Sequence, residues 1–252
     1  MKLAAIYSVY NGLELLENAM FQIKNEVDQF IIVYQEVSNY GETDYTVIKK
    51  VTEIAEKFNA KVVLFHTDLK VNAKVNELNK HNLGLEVAKL LDCTHFLIGA
   101  TDHYYKENEF KAAKQIAVNF DLTLTEMFTY YKYPTWQLYP KENYFMPFIC
   151  KLYDNTEFKK EVWNLSYLVD PAVRINTIDK HYLFKEDEIM LHHYSMLRVD
   201  INNKFNNAAA SINWGVEKRN QFILEYENAK VGNEISYFKG RKLIEVPNYF
   251  NI

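Results

Sequence analysis

Thr94–Phe110 reads THFLIGATDHYYKENEF. The apolar run from His95 to Ile98 has the pattern of a buried strand, Gly99 and Ala100 close it, and Asp102 and His103 follow where the strand should stop. In an open α/β sheet, ligands bind in the crevice at the carboxyl ends of the strands. A carboxylate and an imidazole placed there can hold a divalent ion, because both offer lone pairs. The plain alternative is a polar strand end ahead of a helix that begins near Glu107, and short motifs often mean no more than that.

Working back from this stretch, the chain alternates between strand and helix patterns. Leu3 to Val9 is a short apolar run, punctuated by Tyr10-Asn11-Gly12. Glu14 to Ile23 places Leu15, Leu16, Ala19, Met20 and Ile23 at helical spacing. Phe30 to Val33 is a continuous apolar run of the buried parallel type, and Ser38 to Gly41 is a loop. Val47 to Phe58 is amphipathic, Val62 to Phe65 is a third strand, Leu78 to Leu91 a third helix and Phe96 to Ile98 a fourth strand. Strand–helix units in this order, joined by right-handed crossovers, predict a doubly wound, mostly parallel, Rossmann-like sheet.

Working forward, the pattern loses regularity. Phe110 to Val118 looks helical. Phe128 to Ile149 is dense in aromatics and carries three prolines, which predicts edge strands and loops. Lys180 to Phe184 and Ile189 to Ser195 flank the polar Lys185-Glu186-Asp187-Glu188 and read as a hairpin; Asn202 to Ala210 and Val216 to Tyr226 read as closing helices. No repeat or flexible linker divides the chain. The expectation is one domain over residues 1–252, with a ligand-binding half (1–110) and an irregular, aromatic-rich second half (111–252).

Composition bounds the rest. A chain of 252 residues with 48% hydrophobic and 25% charged residues is an ordinary globular protein with a sizeable core. A net charge of -4 without a basic block argues against nucleic acid and anionic membranes as partners. The two cysteines, Cys93 and Cys150, are too few for a disulfide framework and fit a reduced, cytoplasmic setting. The amino-terminal run is a core strand in pattern, with no transmembrane segment expected. The 19 Tyr and 16 Phe are many for this length; flat rings with polar edges suit sugar faces.

Four segments together resemble a family 2-type glycosyltransferase of the GT-A fold, a Rossmann-like sheet that binds a nucleotide-sugar. They are Ser8-Val9-Tyr10-Asn11 after the first strand, Gln35-Glu36 before Ser38-Asn39, His81-Asn82-Leu83-Gly84-Leu85-Glu86-Val87-Ala88, and Phe96 to His103. In that family the last segment carries the acidic signature that holds metal and ribose. Here Asp102 keeps the acidic role, Ala100 stands where a first Asp is common, and His103 stands where Asp or Glu often follows. A later segment, Leu191-His192-His193-Tyr194-Ser195 with Arg198 and Lys204, is similar to the late histidine and the basic residues that complete a metal site and hold a diphosphate in such enzymes. Neighbouring strand residues face opposite ways, so one histidine of the pair should face the site, and His193 is the expected one.

The resemblance implies a nucleotide-sugar donor, UDP-linked by preference, assisted by Mn2+ or Mg2+ at Asp102 and His193. Ser8 and Tyr10 would contact the base, and Glu36 and Asp68, each after a strand, could accept hydrogen bonds from uracil or ribose; helix capping explains Asp68 equally well. Lys74 and Lys80 could reach a pyrophosphate, although lysines on amphipathic helices are usually the solvated face. Arg198 and Lys204 would receive the charge that develops on the departing diphosphate. An inverting enzyme needs a carboxylate base. Asp170, before Pro171 and near Arg174, is the candidate, against the simpler reading of a turn-forming Asp-Pro. The acceptor would be a hydroxyl on a glycan, lipid or protein, with Tyr130 to Phe148 lining its side. A non-catalytic nucleotide or carbohydrate binding protein and a nucleotidyltransferase on a similar sheet are the alternatives; the latter lacks a glycine-rich basic loop after the first strand.

Overall fold

The computed structural model describes residues 1–159, 169, 174–175, 180–207 and 214–252. The amino-terminal part alternates as β1 (Leu3–Val9), α1 (Leu13–Ile23), β2 (Gln29–Tyr34), α2 (Val47–Phe58), β3 (Lys61–Leu64), α3 (Ala73–Leu90) and β4 (His95–Gly99). There follow β5 (His103–Tyr104), α4 (Glu107–Ala117), β6 (Leu122–Thr125), β7 (Met127–Tyr131), β8 (Trp136–Tyr139), β9 (Met146–Lys151), β10 (Phe158–Lys159) and β11 (Arg174–Ile175). The chain ends with β12 (His181–Leu183), β13 (Leu191–Met196), α5 (Ile201–Asn207), α6 (Val216–Asn228), β14 (Glu234–Ile235) and β15 (Arg241–Glu245).

The main sheet has seven strands in the order β12-β6-β9-β4-β1-β2-β3. β4, β1, β2 and β3 are parallel neighbours, β12 is parallel to β6, and β9 runs antiparallel between β4 and β6. Strand periodicity explains the layering. Leu3, Ala5, Tyr7 and Val9 of β1, with Phe30 and Ile32 of β2, face a core shared with α1, α2 and α4. Ala4, Ile6, Ile31 and Val33 face the opposite way, onto Leu85, Val87 and Ala88 of α3. Covered on both faces, the central strands read as unbroken apolar runs, and the doubly wound, mostly parallel sheet is present. Gly84 lets α3 lie close on this sheet: a Cβ there would meet Ile6 Cγ2 at 2.4 Å.

The second half departs from expectation. β12 and β13 do not form a hairpin. β12 pairs with β6 in the main sheet, whereas β13 pairs in parallel with β7 and antiparallel with β5 in a second sheet of order β14-β15-β8-β7-β13-β5. β6 and β7 meet at Glu126 and carry the chain from one sheet to the other. β12 and β13 make the same crossing beside them, tied by Phe184 N to Leu124 O (2.8 Å) and Leu191 N to Glu126 O (3.1 Å). A polar cluster signals a turn but not a partner, and here the backbone groups of each strand pair along this crossing instead of with each other. Nor are the aromatic strands edges. β8 lies between β15 and β7, and β9 between β4 and β6, with Pro147 opposite Leu124 at a register shift. Pro134 and Pro140 lie outside strands. A third apolar cluster, including Tyr131, Met196, Phe205, Phe222 and Tyr226, joins the second sheet to α5 and α6. Cys93 and Cys150 are free and buried. No helix among the described residues is long and apolar enough to cross a membrane.

Candidate active site

The turn after β4 presents Asp102 because His103 N bonds back to Ala100 O (3.0 Å) and Tyr194 N donates to Asp102 O (2.8 Å), which fastens the turn to β13. β5 then runs antiparallel to β13 with His103 directly opposite His193. Directly opposed residues share a face, so the two imidazoles meet, with ring centroids 5.1 Å apart. Their Nε2 atoms stand 4.0 Å (His103) and 3.8 Å (His193) from Asp102 Oδ1. His192 turns the other way, into Phe128, Tyr249 and Phe250, where its Nδ1 lies 2.7 Å from Tyr130 Oη.

The other oxygen of Asp102 faces cations. Arg198 Nη2 donates to Oδ2, and Lys204 Nζ, from α5, is 3.9 Å away. Arg198 is held by its own backbone neighbourhood, Nη1 donating to Tyr194 O (3.1 Å) and Leu197 O (2.9 Å). Gly12, at φ 73°, leaves room for this packing: a Cβ there would lie 2.6 Å from Thr101 Oγ1 and 3.3 Å from the Arg198 guanidinium.

Burial alone would raise the Asp102 carboxyl, but Arg198, His193, Lys204 and His103 together hold it well below the usual carboxylate range. Burial pushes His193 down to about 3 against the pull of Asp102, and lowers His103 in the same way. Burial and then the Arg198 charge lower Lys204 to about 8. The result is an ionised carboxylate beside two neutral imidazoles with available lone pairs. These ligand atoms lie within 4.8 Å of one another. His193 Nδ1 is buried without a hydrogen-bond partner among the described residues. One carboxylate and two imidazoles form a mixed N,O donor set that fits a divalent transition ion better than Mg2+, which prefers oxygen.

These residues line one end of a cavity of about 410 Å³. Its other wall comes from the ends of β1 and β2 and from the first half of α3: Ser8, Tyr10, Gln35, Asn39, Glu77, Lys80 and His81. Lys80 is buried, contrary to the solvated-face reading, with Nζ donating to Gln35 Oε1 (2.8 Å) and Glu77 Oε1 (3.1 Å). Asn39 Nδ2 also reaches Glu77 Oε1 (2.8 Å), and Ser8 Oγ lies 3.4 Å from His81 Nδ1. Burial would raise Glu77, but Lys80 and His81 outweigh it and lower the carboxyl; burial lowers His81 to about 4.

Of the candidates named from sequence, Ser8, Tyr10, Asp102, His193, Arg198 and Lys204 line the same cavity. Tyr10 also donates from its hydroxyl to Glu42 O (3.1 Å). Glu36 and Asp68 are not among the lining residues. Asp68 is exposed and accepts from Lys70 N (2.8 Å), while Asn72 caps α3 by accepting from Val75 N (3.1 Å). Asn82 binds Phe158 through both its amide groups and so anchors β10. Asp170 lies outside the described residues. Glu77 was not singled out from sequence, and Gln35, Asn39 and His81 were named only within the segments that carry the resemblance; the i, i+4, i+8 spacing of Asn76, Lys80 and Gly84, all facing inward, is the signal that α3 turns a polar stripe inward.

No family model matches the chain, and no curated protein matches it. Solved structures are similar to it in backbone. S. aureus TarS 1-349 in complex with UDP-GlcNAc is 16% identical, covers 90% of this chain and 72% of its own, and has a TM-score of 0.49; the chain spans 43% of a longer TarS structure. Glucosyl-3-phosphoglycerate synthase from Mycobacterium tuberculosis, in complex with Mn2+, UDP and phosphoglyceric acid, is 12% identical over 51% of this chain and 43% of its own, with a TM-score of 0.33. What those proteins bind is a fact about them. By strand order, and by a cleft at the carboxyl ends of its parallel strands, this chain has a doubly wound, mostly parallel, Rossmann-like fold.

Proposed function

We propose that the chain transfers a sugar from a nucleotide-sugar, UDP-linked by preference, to a hydroxyl of a glycan, lipid or protein acceptor. The observation that supports this best is the meeting of Asp102, His103, His193, Arg198 and Lys204 at one end of a cavity whose far wall is polar and wide enough for a nucleoside. In the transfer, the acceptor oxygen bonds to the anomeric carbon as the bond from that carbon to the diphosphate oxygen breaks. The diphosphate leaves with the electron pair, and the acceptor proton goes to a carboxylate base. Arg198 and Lys204 meet charge that is greater on the leaving diphosphate than on the bound donor, so they favour the transition state over the ground state. Asp102, His103 and His193 would hold a divalent ion, Mn2+ more readily than Mg2+, which when bound adds positive charge beside the diphosphate. Ser8 and Tyr10 stand on the nucleoside side, with Glu77 and Lys80 beside them. Asp170 is the proposed base.

Thermal shifts with UDP, GDP, CDP and their sugars, each with and without Mn2+, test the reading. Saturation at ~100 times Kd adds about 2.7 kcal/mol, a shift of several degrees. A shift with one nucleotide, followed by release of the free diphosphate when acceptor is added, is the expected outcome. In that assay Asp170→Asn lowers turnover about 100-fold. No shift with any nucleotide overturns the reading, and binding without release in the presence of acceptors leaves a binding protein.

A further inference from the structure

A second cavity, of about 610 Å³, lies between α6, the turn that follows β14, and the segment leading into β9. Its walls are largely aromatic, with Gln221, Ser236 and the buried Glu142, whose Oε1 accepts from Thr129 Oγ1 (2.6 Å), also among the lining residues. Trp214, Phe222 and Tyr237 form a triangle of edge-on rings with centroid separations of 5.5, 5.5 and 4.8 Å, and Tyr144 lines the cavity beside them. Phe222 is buried, whereas Trp214, Tyr237 and Tyr144 are half-buried. On the rim stand two exposed lysines, Lys218 and Lys239, neither in an ion pair among the described residues.

Lys239 has a further peculiarity. Its backbone is left-handed, at φ 57°, held there by Lys239 N to Ser236 O and Gly240 N to Ile235 O, both 3.0 Å. Glycine is the default in that conformation and a lysine is strained in it. A glycine does follow, but at the next position, also with positive φ. The turn therefore tolerates strain at the position that puts an ammonium on the cavity rim.

From these features we infer that this cavity is a binding site for an anionic saccharide, whose charge is a carboxylate or a phosphate. Half-buried aromatic rings in a concave pocket suit the C–H face of a pyranose, and their polar groups suit its hydroxyls. The two exposed ammonium groups on the rim, Lys218 with its Nζ 5.6 Å from the Phe222 ring centroid and Lys239 beside it, outnumber the one buried carboxylate of Glu142, so they select for an acid and draw it in from solution. A flat protein surface would not enter a cavity of this kind. Tyr144 lines this cavity and Met146, two residues on, lines the one that holds Asp102, a backbone step of at most about 7 Å. Resting on the transferase reading, the site holds the acceptor: a glycan seated on Trp214 and Tyr237 passes its end toward the donor.

The test is calorimetric titration of the whole chain with oligogalacturonate, a phosphorylated mannan fragment and a neutral cello-oligosaccharide. One or both acids bind, the neutral probe binds more weakly, and affinity for the acid falls with added salt. Lys239→Gly relieves the strained turn, so its melting temperature holds or rises, while the acid binds about threefold to fivefold more weakly. Trp214→Ala weakens every saccharide about tenfold. Both variants keep the donor-nucleotide thermal shift of the parent chain. Equal affinity for neutral and acidic probes, an unchanged Kd in Lys239→Gly, or no saccharide binding with self-association at this face instead would each overturn the inference. Failure of the donor experiments leaves saccharide binding standing and removes only the acceptor role.

Discussion

Asp102 is a single carboxylate asked to do two things with its two oxygens. Oδ1 faces His103 and His193, and Oδ2 faces Arg198 and Lys204. Removing the carboxylate from water is costly, and the guanidinium offsets that cost only while it stays. Arg198→Ala should therefore destabilise the fold by about 3 kcal/mol, because an ionised carboxylate is left buried beside two neutral imidazoles, with Lys204, 3.9 Å away, as its remaining cation. Asp102→Asn combined with Arg198→Ala should cost less than Arg198→Ala alone, since it removes the stranded charge. Urea unfolding of the parent, both single variants and the double variant measures this; strictly additive losses would show that the two residues do not act as a pair. His103 was visible in sequence beside Asp102, but its partnership with His193 was not. It depends on β5 and β13 pairing across a chain separation that no local pattern reports.

At the level of elements, α3 is the most instructive. Its apolar pattern begins at Leu78, yet the helix begins at Ala73. Beyond Ala73 the early turns bury Asn76, which bonds to the Asp68 backbone, and Lys80, which lines the polar cavity, whereas the later half packs on the sheet. Period reading looks for hydrophobic stripes, so a stripe that is polar at one end is invisible to it. The same stripe continues to Gly84, where helix and sheet come closest. Gly84→Ala gains up to about 1 kcal/mol of helix propensity. It also drives a methyl group into Ile6 Cγ2 and to 3.3 Å from Val33 Cγ2, on central strands that cannot yield cheaply. The clash should win by about 1–2 kcal/mol, lowering the melting temperature by a few degrees. A rise in melting temperature would mean that α3 can move off the sheet.

For the molecule as a whole, the aromatic-rich interior has a consequence in acid. Burial lowers both His81 and His95 to about 4, with the nearby amino terminus and Lys151 adding to the effect at His95. Their folded values lie below the unfolded value of about 6.5, so between those limits the unfolded chain binds more protons than the folded one. Stability is then unaffected above pH ~6.5, falls as the pH drops toward ~4, and loses no more on this account below that. His81 contributes on the order of 3 kcal/mol across the window, and His95, more open to solvent screening, less. Urea midpoints measured from pH 7 down to pH 4 should fall, and His95→Gln should flatten the slope by one proton's worth. An unchanged slope in that variant would show that His95 is charged in the folded state or hidden from solvent in both states.

The sequence by itself determined the parallel half of this protein. Leu3–Val9, Phe30–Val33 and Phe96–Ile98 are apolar on both faces, a pattern that only strands covered on both sides can satisfy, and the intervening helical stripes supply the cover. It also placed Asp102 at a strand end and required that only one of His192 and His193 face the site, since alternation along a strand is a local rule. Only the tertiary structure decided that β12 and β13 belong to different sheets, that Lys80 faces inward, and that His103 joins Asp102 and His193. Those outcomes rest on contacts between distant segments, where the need to pair buried backbone and charge outweighs what neighbouring residues prefer.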